Sequence, residues 1–218
     1  RLKASAGYFA FNGGLRFSYW DFNKEFLVSP RLNVAFVPER YNAMTFRFAT
    51  GLYYQQPFYK EFRRPVEDEY GNTSILLNSS VKSQQSLHFI LGGDYTFRMF
   101  DRPFKLSAEG YYKKLDRLIP YEIDNLKIVY QGVNSTNGYT TGLDLKLFGQ
   151  FVPGTDSWIS FSVMKTAENL NGVTVPRPTD QRYSLAVFFT DYFPKFPKLK
   201  FSLRGIFSDG LPTTAPHS

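Results

Sequence analysis

The sequence predicts an all-β protein built as one antiparallel, up-and-down sheet of long strands. Hydrophobic residues recur with a period of two along most of the chain, and no segment shows a convincing helical period. In MTFRFATGLYYQ, residues 44–55, alternate residues from Met44 are mostly apolar and those between are mostly polar. Most of the predicted strands run to about ten residues or more, whereas strands in soluble domains centre on about five or six.

The alternation predicts about ten strands, separated by connections of two kinds. The strands span residues 2–11, 15–22, 27–37, 44–55, 87–97, 104–118, 139–151, 158–167, 183–192 and 199–207. Asn12-Gly13 has the composition of a two-residue hairpin, and tight turns are predicted at 39–43, 99–103, 152–156 and 194–197. The intervening connections are a short one at 23–26 and long polar loops at 58–86, 123–138 and 168–182. Short turns at one sheet edge and mostly longer loops at the other are typical of transmembrane β-barrels.

Composition narrows the class of protein. The 218 residues include 23 Phe, 15 Tyr and no Cys, and the mean hydropathy is −0.31. No run approaches eighteen apolar residues, which excludes a transmembrane helix, whereas a membrane-spanning strand needs apolar residues only at alternate positions. Without Cys there is no disulfide framework and no thiol chemistry. The first residues, RLKASAGYFAF, lack the features of a signal peptide, so we expect the natural chain to begin further upstream.

The net charge of +7 is compatible with nucleic acid, an anionic membrane surface or an anionic ligand. The Lys and Arg residues are scattered through the alternating strands and form no basic helix or stripe. Dispersed charge of this kind usually lines a solvated face, so nucleic acid is not expected as a partner.

Each predicted strand has one apolar and one polar face. The apolar set is Leu32, Val34, Phe36, Phe46, Phe48, Leu52, Leu87, Phe89, Leu91, Leu143, Leu145, Leu147, Leu185, Val187, Phe189, Leu199, Phe201 and Leu203. The polar set is Arg31, Asn33, Arg47, His88, Asp94, Lys105, Glu109, Asp144, Lys146, Ser184, Thr190, Lys200 and Arg204. Aromatic residues gather near strand ends, as membrane-interface girdles do, at Tyr53, Tyr54, Phe97, Tyr111, Tyr112, Phe151, Trp158, Tyr192 and Phe193. The pattern predicts a transmembrane β-barrel segment with a lipid-facing apolar side and a wet lumen.

No catalytic or metal-binding constellation is evident. His88 and Asp94 share one predicted face, as do Glu109 and Lys113, which is the minimum that acid–base or metal chemistry would need. The only other histidine is His217, and no second ligand lies at metal spacing. We therefore predict a protein that is not an enzyme and has no metal site and no cofactor.

Six segments resemble the β-barrel of TonB-dependent outer-membrane receptors, in the branch whose plug follows a carboxypeptidase-regulatory-like domain. They are FSYWDFNKEFLVSPRLNVAFVP (17–38), FRFATGLYYQQPFYKE (46–61), LGGDYTF (91–97), FKLSAEGYYKKLDRLIPYEIDN (104–125), NGYTTGLDLKLFGQFVPGTDSW (137–158) and GLP (210–212). The likeness covers nearly the whole chain and is mute about substrate. It implies that residues 1–218 are part of a barrel of about twenty-two strands, without the plug and without either end of the barrel.

The same resemblance implies a function and partners. Such a receptor lies in the outer membrane of a bacterial cell and imports a scarce nutrient, of the siderophore, cobalamin, glycan or peptide class. It takes energy from the TonB complex through its N-terminal part, it contacts outer-membrane lipid, and a surface lipoprotein is a further partner. Three alternatives remain open: a passive porin, an outer-membrane enzyme and a soluble β-sandwich binding module.

The long loops predict where a nutrient is bound. In an up-and-down topology, the loops after Gln55, Pro120 and Ala167 open at one mouth of the barrel. Aromatic and Arg side chains there offer stacking, cation–π contacts and charge-assisted hydrogen bonds. The predicted substrate-binding residues are Tyr53, Gln55, Arg63, Arg64, Tyr121, Tyr130 and Arg177. The alternative is that these residues only order the loops and form an aromatic girdle.

Overall fold

The chain forms a single long antiparallel sheet with small additions at one edge. A computed structural model describes residues 2–67, 70, 73–124, 127–170, 172–193 and 195–212. The strands are β1 (Leu2–Ala6), β2 (Phe9–Trp20), β3 (Glu25–Phe36), β4 (Met44–Gln55), β5 (Arg63–Glu67), β6 (Thr73–Leu77), β7 (Gln84–Met99), β8 (Arg102–Leu118), β9 (Tyr121–Asp124), β10 (Lys127–Tyr130), β11 (Thr136–Gly149), β12 (Ser157–Leu170), β13 (Val173–Pro176), β14 (Tyr183–Phe193) and β15 (Phe196–Ser208).

The main sheet has an up-and-down topology. Its strands follow the order β1-β2-β3-β4-β7-β8-β11-β12-β14-β15, and β13 pairs with β12. Every pairing in the described residues is antiparallel. The all-β class and the antiparallel up-and-down sheet are therefore confirmed. Within the described residues β1 and β15 are the two edges and do not pair with each other, so this sheet is open.

The predicted hairpin at Asn12-Gly13 is wrong. The first turn lies at residues 7–8, where Gly7 has a φ of 56°, and Asn12 and Gly13 pair with Asn33 and Leu32 inside β2. Alternation continues through the Asn-Gly dipeptide, so the long pairing with β3 overrides the local turn preference. The strands predicted at 2–11 and 15–22 are thus replaced by β1 and β2.

The connections lie alternately at the two ends of the strands. We call the end with short turns the turn edge and the end with long connections the loop edge; neither is an edge strand. At the turn edge, β7 and β8 are joined by Phe100 and Asp101 alone, with φ values of 53° and 57°, and residues 39–41 form a 3₁₀ turn between β3 and β4. At the loop edge, the long connections contain short strands that the sequence did not predict. These strands are the hairpins β5–β6 and β9–β10, together with β13. No helix in the described part of the chain is long and apolar enough to cross a membrane.

Register gives the main sheet two chemically different faces. Val34, Phe48 and Leu91 are direct cross-strand neighbours on the apolar face, where Leu91 is 66% and Leu203 64% exposed. Arg47 and Asp94 lie on the opposite, polar face. Across the described residues, the strands of the main sheet contact their sheet neighbours and no second layer covers the apolar face.

Some of the aromatic residues predicted to form an interface girdle lie on the polar face, whereas a girdle requires the apolar face. Tyr53, Tyr111 and Trp158 share the polar face with Lys146, whose Nζ lies 5.0 Å from the centre of the Trp158 ring. Tyr53 has the parity of Arg47 in β4, and Tyr111 has that of Glu109 in β8, so alternation along each strand also places these rings on the polar face. Phe97 and Tyr112, by contrast, lie on the apolar face.

Two rings of β8 cover glycines of β11, one ring on each face of the sheet. Phe104, 1% exposed, lies over Gly149 on the apolar face, and a Cβ at Gly149 would overlap its ring. On the polar face a Cβ at Gly142 would lie 2.5 Å from Tyr111 Oη. Each ring fills the space that the missing side chain leaves, as in aromatic rescue of strand glycines.

Candidate functional site

The loop edge contains a small hydrophobic cluster of its own. Phe62, Val81 and Ile119 are buried, and Trp20, Phe22 and Tyr130 pack against them. Phe22 and Phe62 have ring centroids 4.6 Å apart. The cluster draws on the β2–β3 turn, the β4–β7 loop and the β8–β11 loop, so these three connections form one layer.

Hydrogen bonds between loops hold this layer in place. Asn23 Nδ2 donates to the Val81 carbonyl at 2.8 Å, and Ser83 N donates to Glu25 Oε2 at 2.8 Å. Asn134 accepts from Lys82 N at 2.7 Å and donates through Nδ2 to the Lys82 and Arg117 carbonyls. The short polar Asn side chains thus satisfy backbone groups that irregular loops leave unpaired.

Tyr121 and Tyr130 form a cross-strand pair in the β9–β10 hairpin. They are opposite each other in register, with ring centroids 5.5 Å apart. Burial raises the pKa of the Tyr121 phenol above its usual value, opposed by the Arg177 charge and reinforced by Tyr130 and Glu168. Burial also raises the pKa of Tyr130, with a further contribution from Glu61. Both phenols therefore stay neutral and able to donate a hydrogen bond at physiological pH.

Arg177 contacts the buried end of β12. Its Nε lies 3.4 Å from Glu168 Oε2, and Glu168 is only 5% exposed. The two groups are at ion-pair distance without hydrogen-bond geometry at Nε. Asp180 accepts from Thr166 N at 2.6 Å and pairs with Arg182 at 2.7 Å, which fastens the same loop to β12. Arg177 thus neutralises a buried carboxylate and places positive charge near Tyr121.

Tyr53 and Gln55 lie at the loop end of β4, on the polar face. The Tyr53 ring is stacked on His88, with centroids 4.3 Å apart, and Arg31 Cζ lies 4.5 Å from the ring centre. Gln55 is exposed and pairs in register with Gln84, whose Nε2 donates to Glu61 at 3.0 Å.

Arg63 and Arg64 belong to the β5–β6 hairpin, which is a separate two-stranded sheet. Arg63 is exposed and pairs in register with Leu77, and Arg64 pairs with Leu76. The Arg64 side chain lies outside the described residues. The hairpin therefore presents Arg63 to solvent beside the hydrophobic cluster.

The structure brings only part of the predicted site together. Tyr121, Tyr130 and Arg177 are neighbours at the loop edge, whereas Tyr53 belongs to a different group with Arg31 and His88. Sequence reasoning missed Arg31 and Glu168 as members of these groups. Their positions beside Tyr53 and Arg177 follow from cross-strand register, which no single strand reveals.

The polar face carries an ion network in place of an acid–base pair. Asp94 lies 3.1 Å from Arg47 and 3.2 Å from Lys105, and accepts from Ser107 Oγ at 2.7 Å. His88 is six residues away on the same strand, or about 20 Å at the usual rise of a β-strand. Among the described residues no group of three or more His, Asp or Glu side chains could hold a metal ion.

Comparison with known proteins gave no match: no family model, no curated protein and no solved structure resembles the chain significantly.

Proposed function

We propose that this chain is part of the wall of an outer-membrane β-barrel, and that the barrel is a TonB-dependent receptor that imports a scarce nutrient. The observation that carries the proposal is the uncovered apolar face. It extends across ten strands of the main sheet, and Phe48, Leu91, Phe161 and Leu203 on it are all exposed. Soluble proteins rarely expose an apolar surface this large, whereas lipid would cover it.

The dimensions of the apolar face suit a bilayer. On β11 the apolar residues Leu143, Leu145 and Leu147 lie between two aromatic levels, at Tyr139 and at Gly149 under Phe104. These levels are ten residues apart in the sequence. At a rise of about 3.3 Å and a tilt of about 40°, ten residues climb about 25 Å, which is the height of the apolar band in outer-membrane barrels.

The two sheet edges support the orientation. In outer-membrane barrels the turns on the periplasmic side are short and the loops outside are long. The loop edge is then the outer mouth, where exposed Arg63 and half-buried Tyr121, Tyr130 and Arg177 are the candidate nutrient contacts. The resemblance of the sequence to TonB-dependent receptors supports active import, with the TonB complex, outer-membrane lipid and a surface lipoprotein as proposed partners.

Two measurements on the intact protein test the proposal. First, it should sediment with outer-membrane vesicles and migrate faster on gels before heating than after, because folded barrels resist detergent. Recovery in the soluble fraction would refute the membrane assignment and favour the β-sandwich module.

The second measurement separates a receptor from a passive porin. A plugged receptor reconstituted in liposomes should not let arabinose through, and it should bind a purified TonB periplasmic domain. Rapid liposome swelling without TonB binding would establish an open channel and would overturn the proposed import mechanism.

A further inference from the structure

A cavity on the polar face combines positive charge with hydrogen-bond donors. Its volume is 410 Å³, and it is lined by Asn12, Gly13, Gly14, Leu15, Arg16, Arg31, Asn33 and Tyr53. The lining contains two guanidinium groups, two amides and a phenol, and none of its described residues has a carboxylate. The volume is within the usual range of small-ligand sites.

Glycines on both neighbouring strands create the space around Arg31. Gly14 on β2 and Gly51 on β4 are directly opposite Arg31. The Tyr53 ring lies over Gly51, where an added Cβ would be 3.1 Å from Tyr53 Cε2 and 3.1 Å from Arg31 Cγ. Gly51 therefore admits the Arg31–Tyr53 contact on one side of Arg31, and Gly14 lines the cavity on the other side.

Among the described residues, the two arginines of the cavity have no counter-charge. Within the described residues neither Arg16 nor Arg31 makes an ion pair, and Arg31 Nε is buried without a hydrogen-bond partner. Arg47 on the same face, by contrast, lies 3.1 Å from Asp94. A buried unpaired donor is costly, and guanidinium groups without a counter-charge form strong charge-assisted hydrogen bonds to an oxyanion.

The surroundings of Tyr53 favour an anionic group over an aromatic ring. Strands β3 and β7 flank β4 on opposite sides, so Arg31 and His88 occupy the two faces of the Tyr53 ring. No free ring face remains for stacking, whereas the Asn12 and Asn33 amides remain as hydrogen-bonding groups in the lining.

We infer that this cavity is an oxyanion subsite, which binds the carboxylate or phosphate group of a solute through Arg16 and Arg31. Asn12 and Asn33 bind the polar groups next to that anion. The inference rests on the proposed function in one respect, because the polar face must line a lumen that a solute can reach.

Equilibrium binding to the intact detergent-solubilised protein tests the subsite. The probes are glucuronate, inorganic phosphate and, as the uncharged control, glucose. We expect Arg16→Gln and Arg31→Gln each to weaken anion binding at least about tenfold, the scale of one charge-assisted hydrogen bond. Arg204→Gln is the matched control, because Arg204 is also exposed on the polar face and lies outside the cavity.

A second variant fills the cavity without changing its charge. Gly14→Leu inserts a side chain opposite Arg31 and should abolish anion binding while both arginines remain. Tight binding of glucuronate alone would identify the ligand as a carboxylated sugar, and tight binding of phosphate alone would identify it as a phosphoester. Tight binding of both would indicate a general oxyanion site. Each of these results supports the subsite. Absence of binding to either anion, or equal affinity in Arg16→Gln and Arg204→Gln, overturns it.

The outcome is separable from that of the proposed function. A protein that assembles in the outer membrane but binds neither anion refutes the oxyanion subsite alone. A protein that is recovered in the soluble fraction and binds an anion through Arg16 refutes the barrel and the position of the subsite in a lumen, but supports anion binding at Arg16.

Discussion

Arginine substitutions along the apolar side of β11 should reveal a bilayer depth profile. Leu143, Leu145 and Leu147 point to the apolar face, and Leu143 and Leu145 are 46% and 36% exposed. Midway between the aromatic levels at Tyr139 and Gly149 is position 144. In the proposed barrel, a climb of about 2.5 Å per residue would put Leu143 and Leu145 about 2.5 Å from the bilayer midplane and Leu147 about 7.5 Å from it.

The expected losses follow from these depths. Leu143→Arg and Leu145→Arg should each cost about 2 to 4 kcal/mol, because arginine at the midplane of a barrel is penalised by that amount. At about 1.4 kcal/mol per tenfold change, this is about a 30-fold to 700-fold change in the folding equilibrium. Leu147→Arg should cost about half as much, since the penalty falls towards the interface.

The assay is urea-induced unfolding of the intact protein in phosphatidylcholine vesicles, followed by tryptophan fluorescence. Lys146→Gln is the matched control on the polar face, and it should cost under about 1 kcal/mol for the lost contact with Trp158. In water an exposed Leu→Arg change costs at most about 0.5 kcal/mol. Values that small at Leu143 and Leu145 would show that the apolar face is not in lipid.

Three further predictions concern sidedness, packing and pH. A cysteine at Ser79 on the loop edge should react with an impermeant maleimide on intact cells, and one at Asn42 on the turn edge should not; the reverse pattern would invert the orientation. Gly149→Val should destabilise the protein by about 1 to 3 kcal/mol in urea melts because it overpacks Phe104, whereas Gly110→Ala, with nothing within 4 Å of its Cβ, should be tolerated; equal effects would contradict the packing. The raised pKa values of Tyr121 and Tyr130 mean that the folded state favours the neutral phenols. Their contribution to stability is therefore complete below pH 10, the usual tyrosine pKa, and is lost as the pH rises further. The double Tyr→Phe variant should show a shallower loss of stability above that pH, and an unchanged pH profile would refute the shift.

The long strands were predictable because each depends on local alternation. β4 begins and ends where its period-two pattern does, at Met44 and Gln55. Asn12-Gly13 misled because pairing with twelve residues of β3 outweighs one dipeptide's preference for a turn. The hairpins β5–β6 and β9–β10 were missed because four or five residues are too few to display a period.

The candidate site was less predictable, since it depends on which residues meet across strands. Tyr53 was identified as a ring at a strand end, but Arg31 and His88 join it only through the registers of β3 and β7 with β4. Sequence spacing does not specify these registers, which depend on loop lengths and on burial of one face. The loop layer likewise depends on Asn side chains that reach another loop.

The two ring-over-glycine pairs between β8 and β11 help to select the register in which these strands pair. Phe104 fits Gly149 on one face and Tyr111 fits Gly142 on the other, and both fits occur in the same register. A slip of two residues keeps every side chain on its proper face, so hydrophobicity alone cannot reject it. Such a slip can place Phe104 opposite Leu147 and Tyr111 opposite Thr140, so neither ring then lies over a glycine. The fit of the two rings therefore favours the native register of β8 with β11, whatever solvent surrounds the sheet.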